Sequence, residues 1–420
     1  METKGIVSSS SIDGEARLLI SADAILIETD SRALSLSYAD IIELKLLDYA
    51  VAVATNSDSF TLSHLGYDTE PFYEKAFAAY NAKVLESLFV SGTPLLETKG
   101  NYAYSEQGVS RSGAAVIQLY ERCLVILPAN LDARRIPLCF TTNIEAADYR
   151  IIYTLDNGDS YSISKIGYDF EPLERLSMAQ LLCLRKQASE QVRCIDSSLS
   201  AQQAEAAAAQ LVEGAAAPIG ELNSISSSLT IAIEVQISHS RIAGYYQILK
   251  GLCDVSEMAF GFREDVAFAQ RDEQLAQQDE LGIDTDDIGT TIDSYTGDTA
   301  APYLIWLIAP SKAGGVCAVE YAGAHQEAAA TYIFEYAGEW GRLRRRLNHA
   351  MEAIGFRREV ISLSDEQMRQ PGYECYRMAI ERNESLAYIR SCYCARIVHG
   401  SEESWGREIA SRFSSLTKLA

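Results

Sequence analysis

The 420-residue sequence contains no apolar run long enough to cross a membrane. Its longest strongly apolar stretch is residues 303–309, whereas a spanning helix needs about 20 such residues. The first ten residues also lack the apolar core of a secretory signal. The nine cysteines are scattered and odd in number, which argues against a disulfide framework. We therefore expect a soluble, cytoplasmic protein without an integral membrane segment.

Positive charge is also scarce in this chain. Its 36 basic residues stand against 58 acidic ones, which gives a net charge of -22. An acidic chain repels nucleic acids and anionic lipid surfaces, although it leaves room for a local basic patch. The apolar content of 48% is ample for packed cores. These values predict a globular protein that does not bind nucleic acid.

Recognisable catalytic motifs are missing as well. The sequence has no Gly-x-Ser-x-Gly, P-loop, Gly-x-Gly-x-x-Gly or His-Glu-x-x-His pattern. None of its five histidines stands in a known catalytic frame. We predict no catalytic residue and no cofactor. Because active sites can assemble from distant residues, an enzyme with a site in residues 221–420 stays as an alternative.

What the sequence does contain is an internal repeat. Residues 56–71 and 157–172 are identical at nine of sixteen positions. Residues 16–27 align with 115–126 at a slightly different offset, which predicts a short insertion near residues 129–133. The repeated signature comprises Gly66, Tyr67, Asp68, Glu70 and Pro71 in the first copy, and Gly167, Tyr168, Asp169, Glu171 and Pro172 in the second.

This signature is typical of a strand-to-helix joint. The aspartate is expected to cap the helix, the proline to lie in its first turn and the tyrosine to be buried. A binding surface is the alternative interpretation. Upstream, short apolar runs separated by turn residues predict strands. Downstream, Tyr73, Phe77, Tyr80, Val84 and Leu88 predict one apolar helix stripe.

A string of antiparallel strands closed by one helix resembles the pleckstrin-homology-like superfold, here as a tandem of the bacterial type. The resemblance covers roughly residues 12–190 and rests on strand order, strand length and the terminal helix. The basic first loop of phosphoinositide-binding members has no counterpart here, because those loops carry Asp23 and the pair Glu121 and Arg122. The resemblance therefore implies a scaffold that binds peptides or partner domains.

The predicted fold class is α+β, with two PH-like modules, each a β-sandwich or barrel capped by a C-terminal helix, and a further α+β domain. We predict module 1 over 1–95, module 2 over 96–195, a Ser/Ala/Gln-rich linker over 196–220 and the last domain over 221–420. Within that domain, short apolar runs predict strands over 303–309, 316–321 and 331–336, and periodic patterns predict a polar helix over 263–281 and a helix over roughly 384–398. Residues 303–354 are a candidate for a degenerate third module.

Three groups of residues are candidate binding sites. Cys375, Cys392, Cys394 and His399 include zinc-capable side chains, but a Cys-x-Cys pair on a predicted helix diverges. The acidic run 284–289 resembles the start of a calcium loop but lacks later oxygen ligands. We predict no metal site. Arg342, Arg345, Arg346 and His349 share one helix face, which is a candidate surface for an anion or an acidic partner.

We therefore predict a non-catalytic binding or scaffold protein that recognises a protein or peptide partner. The alternatives are the enzyme described above and a peripheral lipid or phosphate binder that uses the arginine face.

Overall fold

The structure is a computed structural model that describes residues 1–240, 242–264, 303–322 and 330–415. The chain has an α+β fold and divides into two compact units. The first unit comprises Met1–Leu182 and His349–Tyr388, and the second comprises Cys183–Asn348 and Ile389–Ala420. This division differs from the expected order of domains, because residues 349–388 pack with the N-terminal part of the chain rather than with their neighbours in sequence.

The first unit begins with a seven-stranded antiparallel sheet and a helix. The strands are β1 (Glu2–Ser8), β2 (Asp13–Ile20), β3 (Ala24–Glu28), β4 (Ala33–Ser37), β5 (Ile41–Leu47), β6 (Ala50–Thr55) and β7 (Ser59–Ser63), and helix α1 is Thr69–Ser87. Their order in the sheet is β4-β3-β2-β1-β7-β6-β5. Strands β1 and β7, the first and last strands of this sheet in chain order, are therefore neighbours in its middle.

A second sheet and helix follow with the same arrangement. The strands are β8 (Leu96–Glu106), β9 (Val109–Leu119), β10 (Cys123–Leu127), β11 (Arg134–Pro137), β12 (Thr141–Ala147), β13 (Arg150–Leu155) and β14 (Ser160–Ser164), and helix α2 is Phe170–Ile195. The order β11-β10-β9-β8-β14-β13-β12 repeats the first sheet strand for strand. Even the register shift near the start of β5 recurs in β12.

Helix α1 packs one face against the core of the first module. Phe72, Ala76, Tyr80 and Val84 are fully buried on α1. The expected stripe is therefore displaced by about one residue at its start, because Tyr73 and Phe77 stack on each other at its half-buried flank. Side chains from β9 and β10 of the second module join the same apolar cluster, so the two modules share part of their core.

Four short helices complete the first unit. Helices α8 (Glu359–Ser362), α9 (Asp365–Met368) and α10 (Glu374–Glu381) lie wholly within it, and α11 (Glu384–Cys392) begins in it. Helix α10 contacts α1, and Met378 joins the core of the first module.

The second unit is built around a six-stranded antiparallel sheet. Its elements are α3 (Ala201–Gln210), β15 (Ala217–Pro218), α4 (Ile219–Ile225), α5 (Ser227–Ser238), α6 (Ala243–Leu252), β16 (Ala259–Glu264), β17 (Tyr303–Pro310), β18 (Val316–Ala322), β19 (Ala330–Glu335), α7 (Trp340–Ala353, shared with the first unit), β20 (Tyr393–Val398) and α12 (Glu402–Ser415). The strands follow one another in sequence from β15 to β20. Residues 303–354 therefore do not repeat the strand order of the two modules.

Two further expectations differ from the structure. Residues 196–220 are not a simple linker, since Ser200 caps α3 and Ala204, Ala207 and residues 215–217 are buried. Residues 384–398, which were expected to be helical throughout, change from helix to strand at Tyr393. The polar helix expected over 263–281 and the acidic run 284–289 lie essentially outside the described residues. Within the described part, the structure contains no helix with the length and apolar character of a membrane span.

Candidate functional site

The repeated Gly-Tyr-Asp sequence forms the joint between strand and helix in both modules. Gly66 and Gly167 each begin a short 3-10 turn with a positive φ, 61° and 59° respectively. Pro71 lies in the first turn of α1, as predicted, and Pro172 does the same in α2. The left-handed conformation explains why glycine stands at both positions.

The capping role predicted for Asp68 is wrong. Asp68 forms no capping hydrogen bond with α1. Its Oδ2 atom accepts a hydrogen bond from Thr3 Oγ1 at 2.8 Å, and Asp169 Oδ2 accepts one from Thr98 Oγ1 at 2.7 Å. Because the intervening 3-10 turn re-aims the carboxylate, each aspartate ties the start of its helix to the first strand of its module.

The tyrosines of the signature are not buried, contrary to prediction. Tyr67 and Tyr168 are both 103% exposed, so neither packs against the fold. Two more tyrosines, Tyr49 and Tyr149, occupy equivalent hairpin tips and are 86% and 84% exposed. The fold explains the glycine, the aspartate and the proline of the signature, but it gives no packing role to the repeated tyrosine.

The structure also reveals a part of the repeat that the alignment above missed. The tetrapeptide Glu-Thr-Lys-Gly occurs at residues 2–5 and again at 97–100. Its threonine is the partner of the aspartate, and its glycine allows close approach of the chain. A Cβ atom at Gly5 or Gly100 would lie 2.6 or 2.7 Å from a carbonyl oxygen of the last strand of its module. The signal in the sequence was the identity of these four residues, which lie upstream of the other aligned segments.

The predicted basic face is not a single exposed surface. Arg342 is exposed and Arg345 half-buried, whereas Arg346 and His349 are only 3% and 6% exposed. His349 Nε2 lies 2.5 Å from Asp156 Oδ1, and its ring stacks on Phe140 at 4.3 Å. Helical spacing placed these side chains on one face but did not show that the end of that face is buried. The four side chains therefore do not form one exposed surface.

The zinc candidate finds no support in the described residues, and the acidic run 284–289 lies outside them. The described residues include no group of three or more His, Cys, Asp or Glu side chains arranged to hold a metal ion. All nine cysteines are free thiols. Cys392 ends α11, whereas Cys394 lies in strand β20 and donates to the carbonyl of Ile333.

His399 takes part in a different arrangement, which sequence reasoning missed. In the second unit, the fully buried Glu320 accepts hydrogen bonds from Thr331 Oγ1 at 2.5 Å and from the backbone N–H of Tyr321. His399 Nε2 lies 3.0 Å from the same carboxylate, and the ring of Tyr245 stacks on the imidazole. These groups satisfy one another, which is what a buried polar cluster requires.

A polar cleft in the first unit is lined by several charged side chains. Arg134 Nε donates to Glu106 Oε2 at 2.8 Å, and Tyr161 Oη donates to Glu106 Oε1 at 2.5 Å. Burial and the neighbouring Glu106 carboxylate hold the pKa of Tyr161 well above its usual value. The phenol therefore stays protonated and is a hydrogen-bond donor rather than a base.

The connection between β10 and β11 lies on the edge of the first sheet. The backbone N–H of Leu44 on β5 donates to the carbonyl of Ala129 at 2.8 Å. Glu43 and Asn130 form an isolated antiparallel β-bridge through their backbones. Tyr80 Oη on α1 donates to the carbonyl of Asn130 at 2.9 Å. Residues 128–133 are longer than the equivalent connection 29–32, so the predicted insertion is confirmed in its place. We call residues 128–133 the clasp.

The equivalent edge of the second sheet has no such segment on it. Among the described strands, β12 pairs only with β13. Thr142, Asn143, Glu145 and Ala147 are exposed along it. Ile144 stands opposite Tyr153 as Leu44 stands opposite Val53. By this shared register, the N–H of Ile144 points outward from the sheet as that of Leu44 does.

The chain matches no protein-family model, and a search of curated proteins returns no match.

Proposed function

We propose that the protein is a non-catalytic binding protein of tandem PH-like architecture, which recognises an extended segment of a protein partner along β12. The observation that carries this proposal is the difference between two equivalent sheet edges, β5 and β12. The clasp lies on the β5 edge, where the N–H of Leu44 donates a main-chain hydrogen bond to it. Strand β12 has the same register and the same bulge as β5, and most of its side chains are exposed. Adding a strand to a sheet edge is a common mode of peptide recognition.

Exposed aromatic side chains support the same conclusion. Tyr149 lies at the tip of the β12–β13 hairpin, and its ring contacts that of Phe170 edge-on at 6.3 Å. Tyr168 is exposed two residues earlier in the chain. Tyrosine provides a large contact area at a low entropic cost. On α2, Met178 and Leu182 are exposed one turn apart and add apolar surface to the second module.

The PH-like assignment itself rests on strand order. Each module has seven antiparallel strands, with the first strand beside the last, and a helix after them. The net charge of -22 disfavours a nucleic acid as the partner. Nine free thiols are consistent with a reducing compartment, and we place the protein in the cytoplasm.

The experiment uses peptides selected against the intact chain from a random dodecapeptide display library. We expect the bound peptides to slow hydrogen exchange over residues 141–147. Ile144→Pro removes one outward N–H and should weaken binding about tenfold, the value of one hydrogen bond. Ile144→Ala is the matched control, because it keeps the N–H and should bind within about threefold of the unchanged chain.

Two results would contradict the proposal. One is a set of selected peptides that protect another segment and leave residues 141–147 unprotected. The other is unchanged binding to a folded Ile144→Pro variant, whose fold is checked by circular dichroism. Proline is tolerated at edge-strand positions whose N–H faces outward, so this variant is expected to fold.

A further inference from the structure

A small cavity lies in the first unit, apart from β12. It is lined mainly by apolar side chains, among them Leu88, Phe89, Ile354 and Leu386. The charged residues in its lining are Arg135 and Arg382. The cavity has room for about one water-sized sphere. An apolar cavity that two guanidinium groups line is unusual, because buried charges are normally paired.

Arg382 is the residue that requires explanation. Its side chain is 0% exposed. Nη2 donates to Tyr80 Oη at 3.1 Å and Nη1 to the carbonyl of Met378 at 3.2 Å, and both acceptors are neutral. The carboxylate nearest to it among these contacts is that of Glu381, at 3.5 Å and one-third exposed. Nε has no hydrogen-bond partner. A guanidinium does not lose its charge in a protein, so Arg382 carries a buried and poorly compensated positive charge.

The carboxylate of Glu352 does not compensate the charge of Arg382, because it is already paired with Arg135. The Nη1 and Nη2 atoms of Arg135 donate to the two carboxylate oxygens of Glu352 at 2.5 and 2.6 Å, which makes that pair neutral as a whole. The Nε atom of Arg135 also lacks a partner. The cavity is thus lined by one neutral pair and by a buried guanidinium whose carboxylate partner, Glu381, lies 3.5 Å away and is one-third exposed. Each of the two arginines has an unused Nε–H group.

We propose that this cavity binds one monovalent anion of about the size of chloride, held by the guanidinium groups of Arg382 and Arg135. A water molecule would satisfy an N–H group, but it would leave the charge of Arg382 balanced only by the partly exposed Glu381 at 3.5 Å. A tetrahedral oxyanion is larger than the space available. The bound anion links β11, the end of α1, the end of α7 and the α10–α11 segment, all of which contribute to the lining.

The first test measures thermal unfolding of the full chain at constant ionic strength. Sodium chloride replaces sodium gluconate over 1–100 mM, and bromide is tested in parallel. We expect chloride and bromide to raise Tm by about 3 °C or more with saturation, because an anion that binds only the folded state stabilises it. Gluconate is too large for the cavity and should have no such effect. An equal response to all three salts would overturn the proposal.

The second test locates the ion. Arg382→Met should abolish the chloride response, whereas Arg17→Met, which removes an exposed arginine of β2, should retain it. Crystals of the unchanged protein soaked in bromide should show an anomalous peak between Arg135 and Arg382. This measurement decides the matter even if Arg382→Met does not fold. The absence of a peak at that position would overturn the proposal.

Discussion

Thr98 on β8 donates a hydrogen bond to Asp169 at the start of α2, and Thr3 on β1 repeats this contact with Asp68. Both contacts join the first strand of a module to the residue just before its last element. Each contact therefore adds a side-chain hydrogen bond to the main-chain pairing that already joins the first and last strands of its module. A charged acceptor makes such a bond stronger than one between neutral groups.

Removing this contact should destabilise the first unit. We expect Thr98→Val and Asp169→Ala each to lower the free energy of unfolding by about 1–2 kcal/mol. The double variant should lose less than the sum, because the second change removes a bond already broken. Urea unfolding measures all three. Thr61→Val, at an exposed position of β7, is the control and should change stability little. Fully additive losses would show that the two residues do not interact.

The exposed tyrosines should contribute nothing measurable to folding. We expect Tyr67→Ala and Tyr168→Ala to change the free energy of unfolding by less than about 0.5 kcal/mol. Gly66→Ala, one residue away, should cost about 1 kcal/mol or more, because the φ of that residue is 61°. Chemical denaturation followed by far-ultraviolet circular dichroism separates the two cases. A large loss with Tyr67→Ala would mean that the ring packs against the fold.

The ion pair of Arg135 with Glu352 should behave as a buried pair. Side-chain exposures of 10% and 8% predict that Arg135→Met costs about 3–5 kcal/mol, because it leaves an unpaired carboxylate in the interior. Arg135→Met combined with Glu352→Met should recover much of this loss. Calorimetry of the single and double variants gives the comparison. If the double variant is as unstable as the single one, the cost lies in packing rather than in the stranded charge.

Thiol reactivity should follow burial. Burial raises the pKa of Cys253 to about 12 and that of the half-buried Cys375 to about 11. A raised pKa leaves little reactive thiolate at pH 8, whereas Cys183 and Cys194 are exposed. We expect iodoacetamide to modify Cys183 and Cys194 first, Cys375 more slowly and Cys253 last. Peptide mass spectrometry over time gives the order, and rapid modification of Cys253 in the folded chain would contradict it.

The repeated modules could be predicted because their signals are local. Asn56–Asp58 and the Gly-Tyr-Asp joints use turn residues that few backbone conformations accept, so copies of the sequence imply copies of the structure. The strands predicted over 303–309, 316–321 and 331–336 lie at 303–310, 316–322 and 330–335. They could be predicted for the same reason, because each is a short apolar run between turns.

What could not be predicted depends on contacts between distant segments. Nothing near Asp68 indicates that its acceptor atoms face Thr3 rather than the helix. Residues 349–388 read as part of a C-terminal domain, although their helices pack with the N-terminal modules. The apolar run that begins at Tyr393 fits helix and strand equally well, and only pairing with β19 makes it a strand.

The clasp gives the duplication a direction. A loop in the later copy closes the edge of the earlier copy, so the two copies are not interchangeable, although their strand orders are identical. In any array built by this rule, every member but the last would be covered by its successor. The edge strand of the last module would always stay uncovered, because no module follows to supply a clasp. The binding capacity proposed for β12 is thus a property of position in the chain rather than of the repeated sequence.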